Sequence, residues 1–246
     1  MMMLMGYGCG VQNSDWQVKD HTPPSFSRVY FIDSGRVRYE SGGTTRPLHP
    51  SRLYIFPSFA PYTIEHDPDA PISCLWFHLD LFPTLVPKLV EIAPDEALQC
   101  LLRAARLEVN SPAPDAAYLT CLAEALSRQW EKQGFLSPPD PALAPVLRYM
   151  AENYPLALNI REISLHFGYA PEYFIRSFKR RMGITPHQYL IGCRMNQALL
   201  LLRGQTPIGD IAQKVGYTDG KSFSNAFQNR YGLSPSLYRR HFAPRA

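Results

Sequence analysis

The 246-residue sequence contains few cysteines and no long apolar run. Its five cysteines are an odd number, widely separated and without a C-x-x-C pair, which argues against a disulfide framework or a cysteine zinc site. The apolar opening, residues 1–5, ends at Gly6 and has no basic flank, so it is too short for a signal peptide. No stretch approaches the roughly 20 apolar residues that cross a bilayer. These absences predict a cytoplasmic protein with no membrane partner.

The common signatures of catalysis are also missing. The sequence has no Gly-rich phosphate loop and no nucleophile elbow. Metal-dependent enzymes built on small barrels need clustered His and carboxylate ligands, typically a close H-x-H pair. Here His49, His66 and His78 are separated by 17 and 12 residues. We therefore expect no catalytic residues, no metal and no cofactor, and a metal-dependent enzyme remains the main alternative.

Acidic and basic residues are distributed unevenly along the chain. The net charge is +4, but residues 137–246 carry +8 and residues 1–136 carry −4. An apolar fraction of 46% and a charged fraction of 19% indicate a folded protein with a proper core. The basic half therefore predicts an anionic partner, and nucleic acid is the commonest large one.

Short strand-like segments occupy the first 83 residues. Each is rich in aromatic and β-branched residues and is bounded by Pro, Gly, Ser or Asp: 29–33, 36–40, 52–56, 62–66 and 73–79. Ser34-Gly35, between the first two segments, predicts the tight turn of a hairpin. The spacing of these strands predicts a small barrel or a sandwich.

Helical patterns replace the strands after Phe82-Pro83. We predict helices at 85–92, 96–108 and 116–132. The last has an apolar stripe, formed by Tyr118, Leu122, Leu126 and Trp130, that either packs on its own domain or forms a dimer contact. Three prolines in 137–141 predict a stiff linker. The fold class is therefore α+β and multidomain, with domains at 1–83 (barrel), 84–136 (helical dimerisation or linker segment) and 137–246 (all-α).

One pattern occurs twice in the C-terminal half. The copies are 48 residues apart through the tyrosine that follows the first glycine, and 49 apart from there on. Nine positions match, which indicates a duplicated structural unit. The first copy has Ile160, Ile163, Gly168, Tyr169, Phe174, Phe178, Gly183, Pro186 and Tyr189, and the second has Ile208, Ile211, Gly216, Tyr217, Phe223, Phe227, Gly232, Pro235 and Tyr238.

Each copy predicts two short helices that meet at a glycine. Gly168 or Gly216 supplies the positive φ that ends the first helix. Asp219 is a good N-cap for the second helix of the second copy, whereas the first copy has Ala170 at the corresponding place. Two phenylalanines, four residues apart, anchor each second helix on the core. Two short helices crossing at a glycine turn form a helix-turn-helix.

The outward faces of the second helices are polar. Arg, Lys, Asn, Gln and Ser are the side chains that hold phosphates and read base edges. A merely solvated helix face usually mixes Glu with Lys, but this face of the second copy has no acidic residue. We therefore predict DNA contacts from Glu172, Tyr173, Arg176, Lys179 and Arg180 in the first copy, and from Gly220, Lys221, Ser224, Asn225, Gln228 and Asn229 in the second.

These residues closely resemble the AraC/XylS family of transcription regulators. The match is densest in Ile208-x-x-Ile211-Ala212-x-x-x-Gly216-Tyr217-x-Asp219-x-x-x-Phe223-x-x-x-Phe227-x-x-x-x-Gly232-x-Ser234-Pro235-x-x-Tyr238-Arg239. The resemblance implies a long helix at 187–202 joining two helix-turn-helix units. The second helices would then enter successive major-groove segments on one face of double-stranded DNA, about 34 Å apart.

The N-terminal half resembles the cupin-type sensing barrel of many family members, on the runs 28–35, 53–57 and 76–78. That resemblance implies a small-molecule effector and a homodimer formed through helices like 116–132. By strand alternation, Tyr30, Tyr62, Trp76 and His78 are candidate ligand-binding residues for a sugar-like or aromatic compound, or they simply fill a small barrel. We predict an effector-controlled regulator of transcription, whether activator or repressor, with RNA polymerase as a further candidate partner. A ligand-independent DNA-binding regulator remains the third hypothesis.

Overall fold

The chain folds into two units, an N-terminal unit of Met1–Pro138 and a C-terminal unit of Pro139–Ala246. The computed structural model describes residues 2–19, 24, 26–81, 84, 86–136, 140–231 and 233–242. Three features of the sequence lie outside these residues: the Phe82-Pro83 boundary, the linker prolines at 138 and 139, and Gly232 of the second copy. The α+β fold class is confirmed, with antiparallel sheets before the division and helices after it.

Two antiparallel sheets form the strand part of the N-terminal unit. The first has the strand order β1 (Met3–Val11), β8 (Ser73–Asp80), β3 (Ser27–Ser34), β6 (Arg52–Ile55) and β9 (Val90–Ile92). The second has the order β2 (Gln17–Lys19), β7 (Thr63–His66), β4 (Val37–Ser41) and β5 (Thr44–Leu48). Two helices, α1 (Glu96–Val109) and α2 (Ala116–Lys132), complete the unit.

The first sheet is buried on both faces because its strands are apolar at odd and even positions. Val29 of β3 and Leu75 of β8 pack with α1 and α2 in one core cluster. Their neighbours Tyr30, Ile32 and Cys74 pack in a second cluster with residues of the other sheet. Successive side chains of a strand point to opposite faces, so one sheet serves both cores.

Glycines on β1 make room for an aromatic side chain of β8. Gly8 pairs with Trp76 across the two strands, and a Cβ at Gly8 would lie 2.6 Å from the indole ring. A Cβ at Gly6, on the same side of the strand, would meet Trp76 at 3.4 Å and His78 at 3.5 Å, which are ordinary contacts. The indole therefore lies flat against the backbone at Gly8.

The structure corrects the predicted hairpin at Ser34-Gly35. The two flanking strands, β3 and β4, belong to different sheets and do not pair. Gly35 has φ +112°, and a Cβ there would lie 2.7 Å from both the Pro71 carbonyl oxygen and Ile72 Cα. The turn is thus pressed against the chain before β8 and carries the backbone from one sheet to the other.

The predicted helix at 85–92 is wrong. Residues 90–92 form β9, which pairs with β6 through Leu53 and Ile92. Pro87 interrupts the helical pattern, and the edge of the first sheet supplies hydrogen-bond partners that the isolated segment lacks. Sequence analysis also missed β1, β2 and β5, whose glycines, polar residues and proline give weak strand signals.

The apolar stripe of α2 packs inside its own unit. Leu126 and Trp130 are fully buried and Leu122 nearly so, whereas Tyr118 remains 47% exposed. The dimer-contact interpretation of the stripe is therefore wrong for these three residues. On α1, Arg106 donates to both carboxylate oxygens of Asp33 at 2.9 and 2.6 Å and ties the helix to β3.

Among the described residues of the C-terminal unit, all regular secondary structure is helical. The helices are α3 (Ala144–Glu152), α4 (Ile160–His166), α5 (Pro171–Met182), α6 (Pro186–Leu201), α7 (Ile208–Lys214), α8 (Gly220–Tyr231) and α9 (Pro235–Phe242). The long joining helix implied by the family is α6. The pairs α4–α5 and α7–α8 are the two predicted helix-turn-helix units.

Capping distinguishes the second helices of the two units. The Asp219 carboxylate accepts from the Ser222 amide at 2.7 Å and from the Ser222 hydroxyl at 2.8 Å. At α5 the N-cap is Ala170, which makes no side-chain hydrogen bond, and Pro171 follows at the first helical position. Of these two helices, α8 is therefore the better capped, as the sequence indicated.

We predict that Gly8→Ala lowers the free energy of unfolding by about 2 kcal/mol, because the new methyl group displaces the Trp76 indole. Gly6→Ala, on the same strand and side, should change it by less than about 1 kcal/mol. Calorimetry measures the stability, and near-ultraviolet circular dichroism follows the tryptophan environment. Equal effects of the two substitutions would contradict the packing described.

We expect Ala170→Ser to stabilise the C-terminal unit by about 0.5–1 kcal/mol, since it adds the missing cap. Asp219→Ala should lower the melting temperature, and Asp219→Asn should retain the cap. The hydrogen bond from the Ser222 amide holds the pKa of Asp219 below its ordinary value. Its contribution is thus complete at neutral pH and is lost as the pH falls through that lowered pKa.

Calorimetry at about pH 7 and at a series of values down to about pH 2 tests this linkage. The difference in melting temperature between the native chain and Asp219→Ala should shrink as the pH falls. A difference that is the same at every value would show that the carboxylate does not act as the cap.

Candidate nucleic-acid interface

Each helix-turn-helix unit is anchored by the same aromatic contacts. The phenylalanine rings four residues apart, Phe174–Phe178 and Phe223–Phe227, have centroids 5.6 and 5.8 Å apart. All four rings are at most 1% exposed. The tyrosine of the following helix completes each cluster, with Phe178–Tyr189 at 5.8 Å and Phe227–Tyr238 at 5.6 Å. The sequence duplication is therefore a duplication of packing.

Glycine turns set the crossing of the helices within each unit. Gly168 and Gly216 have φ of +75° and +85°, the conformation that the repeat predicted for them. The residue after each glycine donates its amide to the first helix, from Tyr169 to Ser164 at 2.8 Å and from Tyr217 to Ala212 at 2.9 Å. Ser164 and Ala212 are themselves fully buried, so the second helix approaches the first closely.

The outward face of α5 carries the predicted side chains. All five predicted residues are exposed on it: Glu172, Tyr173, Arg176, Lys179 and Arg180. Ile175, which sequence analysis did not select, is 42% exposed there as well. An apolar side chain in this position can contact a thymine methyl group. The sequence could have indicated that Ile175 is exposed, because its position on the helix lies outside the stripe formed by Phe174 and Phe178.

The corresponding face of α8 is polar and nearly neutral. Lys221, Asn225, Gln228 and Asn229 are exposed, whereas Gly220 and Ser224 are half-buried. Because amide side chains both donate and accept hydrogen bonds, this face suits base edges. The three cations predicted on the outward face of α5, Arg176, Lys179 and Arg180, suit phosphates as well. Arg181, at the end of α5, pairs instead with Asp140.

The four predicted ligand residues lie in the N-terminal unit in one aromatic cluster. Tyr30 and Tyr62 are 4% exposed, and Trp76 and His78 are half-buried, with their ring centroids 4.8 Å apart. Arg28, which was not among the predicted residues, donates to the Tyr62 hydroxyl at 2.7 Å. Arg28 pairs with His78 across β3 and β8, so alternation along β3 could have placed it beside Tyr30.

His66 has a structural role. Its Nδ1 accepts from the Ile72 amide at 3.1 Å, so its Nε2 carries the proton and donates to the Ser14 carbonyl at 3.2 Å. With both nitrogens engaged, the ring links three chain segments. Among the described residues, no three His, Cys, Asp or Glu side chains lie close enough together to hold a metal ion. No described helix is both long and apolar enough to cross a bilayer.

Comparisons with known proteins identify the kind of domain that the C-terminal unit forms. A family model described as "Helix-turn-helix domain" matches residues 163–241. The "Probable transcriptional regulator LumQ" of Photobacterium leiognathi is 36% identical over 92 residues, which cover 37% of this chain and 37% of that protein. The "Melibiose operon regulatory protein" of Escherichia coli (strain K12) is 33% identical over 96 residues, or 39% of this chain and 32% of that protein. The match thus spans about a third of these relatives.

The fold of the whole chain is similar to that of ToxT from Vibrio cholerae. One crystal structure of ToxT has a TM-score of 0.68 at 12% sequence identity, and the match covers 97% of this chain and 99% of ToxT. At this identity the similarity concerns the fold alone. The matched model, the relatives and the duplicated packing confirm the resemblance that the paired motifs indicated: this chain carries a helix-turn-helix domain of the AraC type.

Proposed function

We propose that this protein is a sequence-specific DNA-binding transcription regulator, controlled by a small molecule bound in its N-terminal unit, and that it has no catalytic activity. The observation that carries the proposal is the pair of outward faces on α5 and α8. Both lie on helices held by the same aromatic anchor, and both present groups that bind phosphates or base edges. Its relatives with this domain include regulators of operons.

The charge distribution supports the DNA-binding part. Residues 137–246 carry +8, and the exposed cations of α5 lie on the face that would meet the duplex. Phosphate contacts supply most of the affinity and its salt dependence, whereas base contacts supply the sequence preference. With α5 richer in cations and α8 richer in amides, both contributions are available from one domain. A bacterial chromosome as the target implies a cytoplasmic location.

The aromatic cluster supports the sensing part. Trp76 and His78 are half-buried and adjoin the buried tyrosines, so a ring or sugar face could stack on them. Relatives regulate the lactose and melibiose operons, and ToxT, which has a similar fold, has been solved with an unsaturated fatty acid and with a methylnaphthalenyl-butenoic acid bound. We propose a sugar-like or aromatic effector, with apolar carboxylic acids included in any screen because Arg28 lies beside the cluster.

Regulation would act through the geometry of a homodimer. An effector that binds one packing of the N-terminal unit better than another shifts the population toward it. In a dimer this shift changes which pairs of DNA half-sites the two C-terminal units can span. Since Leu122, Leu126 and Trp130 of the α2 stripe are buried, the proposed dimer uses another surface. RNA polymerase is a proposed partner for activation.

Selection of bound fragments from the genomic DNA of the source tests the central claim. Purified protein should enrich a small set of fragments that share a sequence motif, and the neighbouring genes would indicate the chemistry of the effector. If no fragment is enriched at low salt, the proposed function is wrong.

We predict a division of labour between two kinds of side chain. Asn225→Ala and Gln228→Ala should relax the preference at particular base pairs, at a cost of about 1–3 kcal/mol each on the selected site. Arg180→Ala and Lys221→Ala should weaken binding to all sequences and reduce the salt slope by about 1. Titrations on selected and random DNA measure both. Equal losses on both DNAs for all four variants would contradict this assignment.

We also expect an effector to raise the melting temperature of the native chain, since saturation at about 100 times Kd adds about 2.7 kcal/mol. A thermal-shift screen of monosaccharides, aromatic acids and fatty acids identifies it. Trp76→Leu should lose the shift, whereas Tyr118→Leu, which changes a largely exposed residue at the start of α2, should keep it. A shift that survives in Trp76→Leu would place the effector elsewhere.

A further inference from the structure

One arginine of the joining helix contacts the segment that leads into the first helix-turn-helix unit and the turn of the second. Arg194 of α6 donates from Nε to the Tyr154 carbonyl and from Nη2 to the Leu156 carbonyl, each at 2.9 Å. Its guanidinium also lies over the Tyr217 ring, 5.6 Å from the centroid. Tyr154 and Leu156 belong to the segment that leads into α4, and Tyr217 belongs to the turn between α7 and α8. We call these four residues the Arg194 clamp.

The same two segments also meet directly through backbone atoms. A Cβ at Gly216 would lie 2.8 Å from the carbonyl oxygens of both Tyr154 and Pro155. At the equivalent Gly168 a Cβ would meet no described atom within 4 Å. Both glycines have the positive φ of their turns, but of the two only Gly216 is packed against the segment that leads into α4. This backbone contact therefore has no equivalent at the turn of the first copy.

The chemistry of the clamp favours a fixed geometry. Burial disfavours the charge of Arg194 and lowers its pKa, so the guanidinium needs the two carbonyls and the Tyr217 ring to compensate. A planar guanidinium donating to two acceptors holds them in one orientation, which a single ammonium cannot do. The segment before α4, helix α6 and the turn before α8 thus converge on one rigid group.

From this arrangement we infer that Arg194 is a positioning residue that sets the separation and angle between α5 and α8, and with them the spacing of the two DNA subsites that one chain accepts. The inference rests on the proposed function. One base pair inserted between subsites rotates one of them by about 35° about the duplex axis, since a turn contains about 10 base pairs. A rigid pair of helices should discriminate against that change, and a loosened pair should not.

A spacing series measures this discrimination. The full chain is titrated with its selected DNA site and with versions that gain or lose one base pair between the subsites. We expect the native chain to bind the altered sites at least about tenfold more weakly, and Arg194→Met to reduce that penalty to about threefold or less. Arg194→Lys retains the positive charge but loses the planar guanidinium that donates to two carbonyls, so it should give an intermediate penalty. Arg148→Met, an exposed arginine on α3, is the matched control and should keep the native penalty.

A second measurement does not involve DNA. Spin labels, carried by non-canonical residues at positions 176 and 225, report the distance between α5 and α8. The native chain should give one narrow distribution, and Arg194→Met should broaden it. Calorimetry shows whether Arg194→Met folds. If it does not, Tyr217→Leu removes the aromatic ring of the Arg194 clamp instead, and the spacing series and the spin-label distances are measured on that variant.

The possible failures can be told apart. A native chain that binds no DNA overturns the proposed function, and the spin-label distances still test the clamp. A native chain that binds DNA without a spacing penalty overturns the inference, as does an Arg194→Met variant that keeps the native penalty and the narrow distribution.

Discussion

Apolar anchoring of one face of a short helix is the constraint on which the candidate interface depends. In α5 and α8, two phenylalanine rings four residues apart are buried against the preceding helix and against the tyrosine of the next. Short isolated helices are marginal in water, so this packing supplies most of their stability. It also fixes their rotation about their own axes. Every polar side chain on the opposite side is then exposed without any further interaction to hold it there.

The two copies share this anchor and the glycine turn, but they differ in their helix caps, their outward side chains and the surroundings of the turn. The cap of α8 is a carboxylate and the cap of α5 is an alanine. The exposed cations lie mainly on α5, and the exposed amides lie on α8. Gly216 is packed against the segment before α4, whereas Gly168 has open space beside it. Duplication thus supplied the scaffold, and divergence of unconstrained positions gave each helix its own chemistry. The packing of the second turn against the segment before α4 is therefore not a feature that the two copies share.

The N-terminal unit solves a different packing problem. Its first sheet is covered by helices on one face and by the second sheet on the other, so its strands are apolar at successive positions. The face toward the second sheet is filled by large aromatic rings, and glycine at position 8 leaves the space that the Trp76 indole occupies. Such a cluster is both a core and a set of stacking surfaces. Trp76 and His78 are only half-buried, and they are the residues of the cluster through which we propose that a ligand binds.

The sequence by itself determined the duplicated unit, its turns and its outward residues, because these depend on local periodicity and on the positive φ that glycine tolerates. The tertiary structure decided which strands pair, since pairing depends on contacts distant in sequence. Thus β3 and β4 lie in different sheets, and residues 90–92 form an edge strand because β6 offers partners. It also decided that Leu122, Leu126 and Trp130 of α2 belong to the core, and that Arg194 contacts both the segment before α4 and the turn before α8. No local pattern marks a guanidinium whose acceptors are about 40 residues away in the chain.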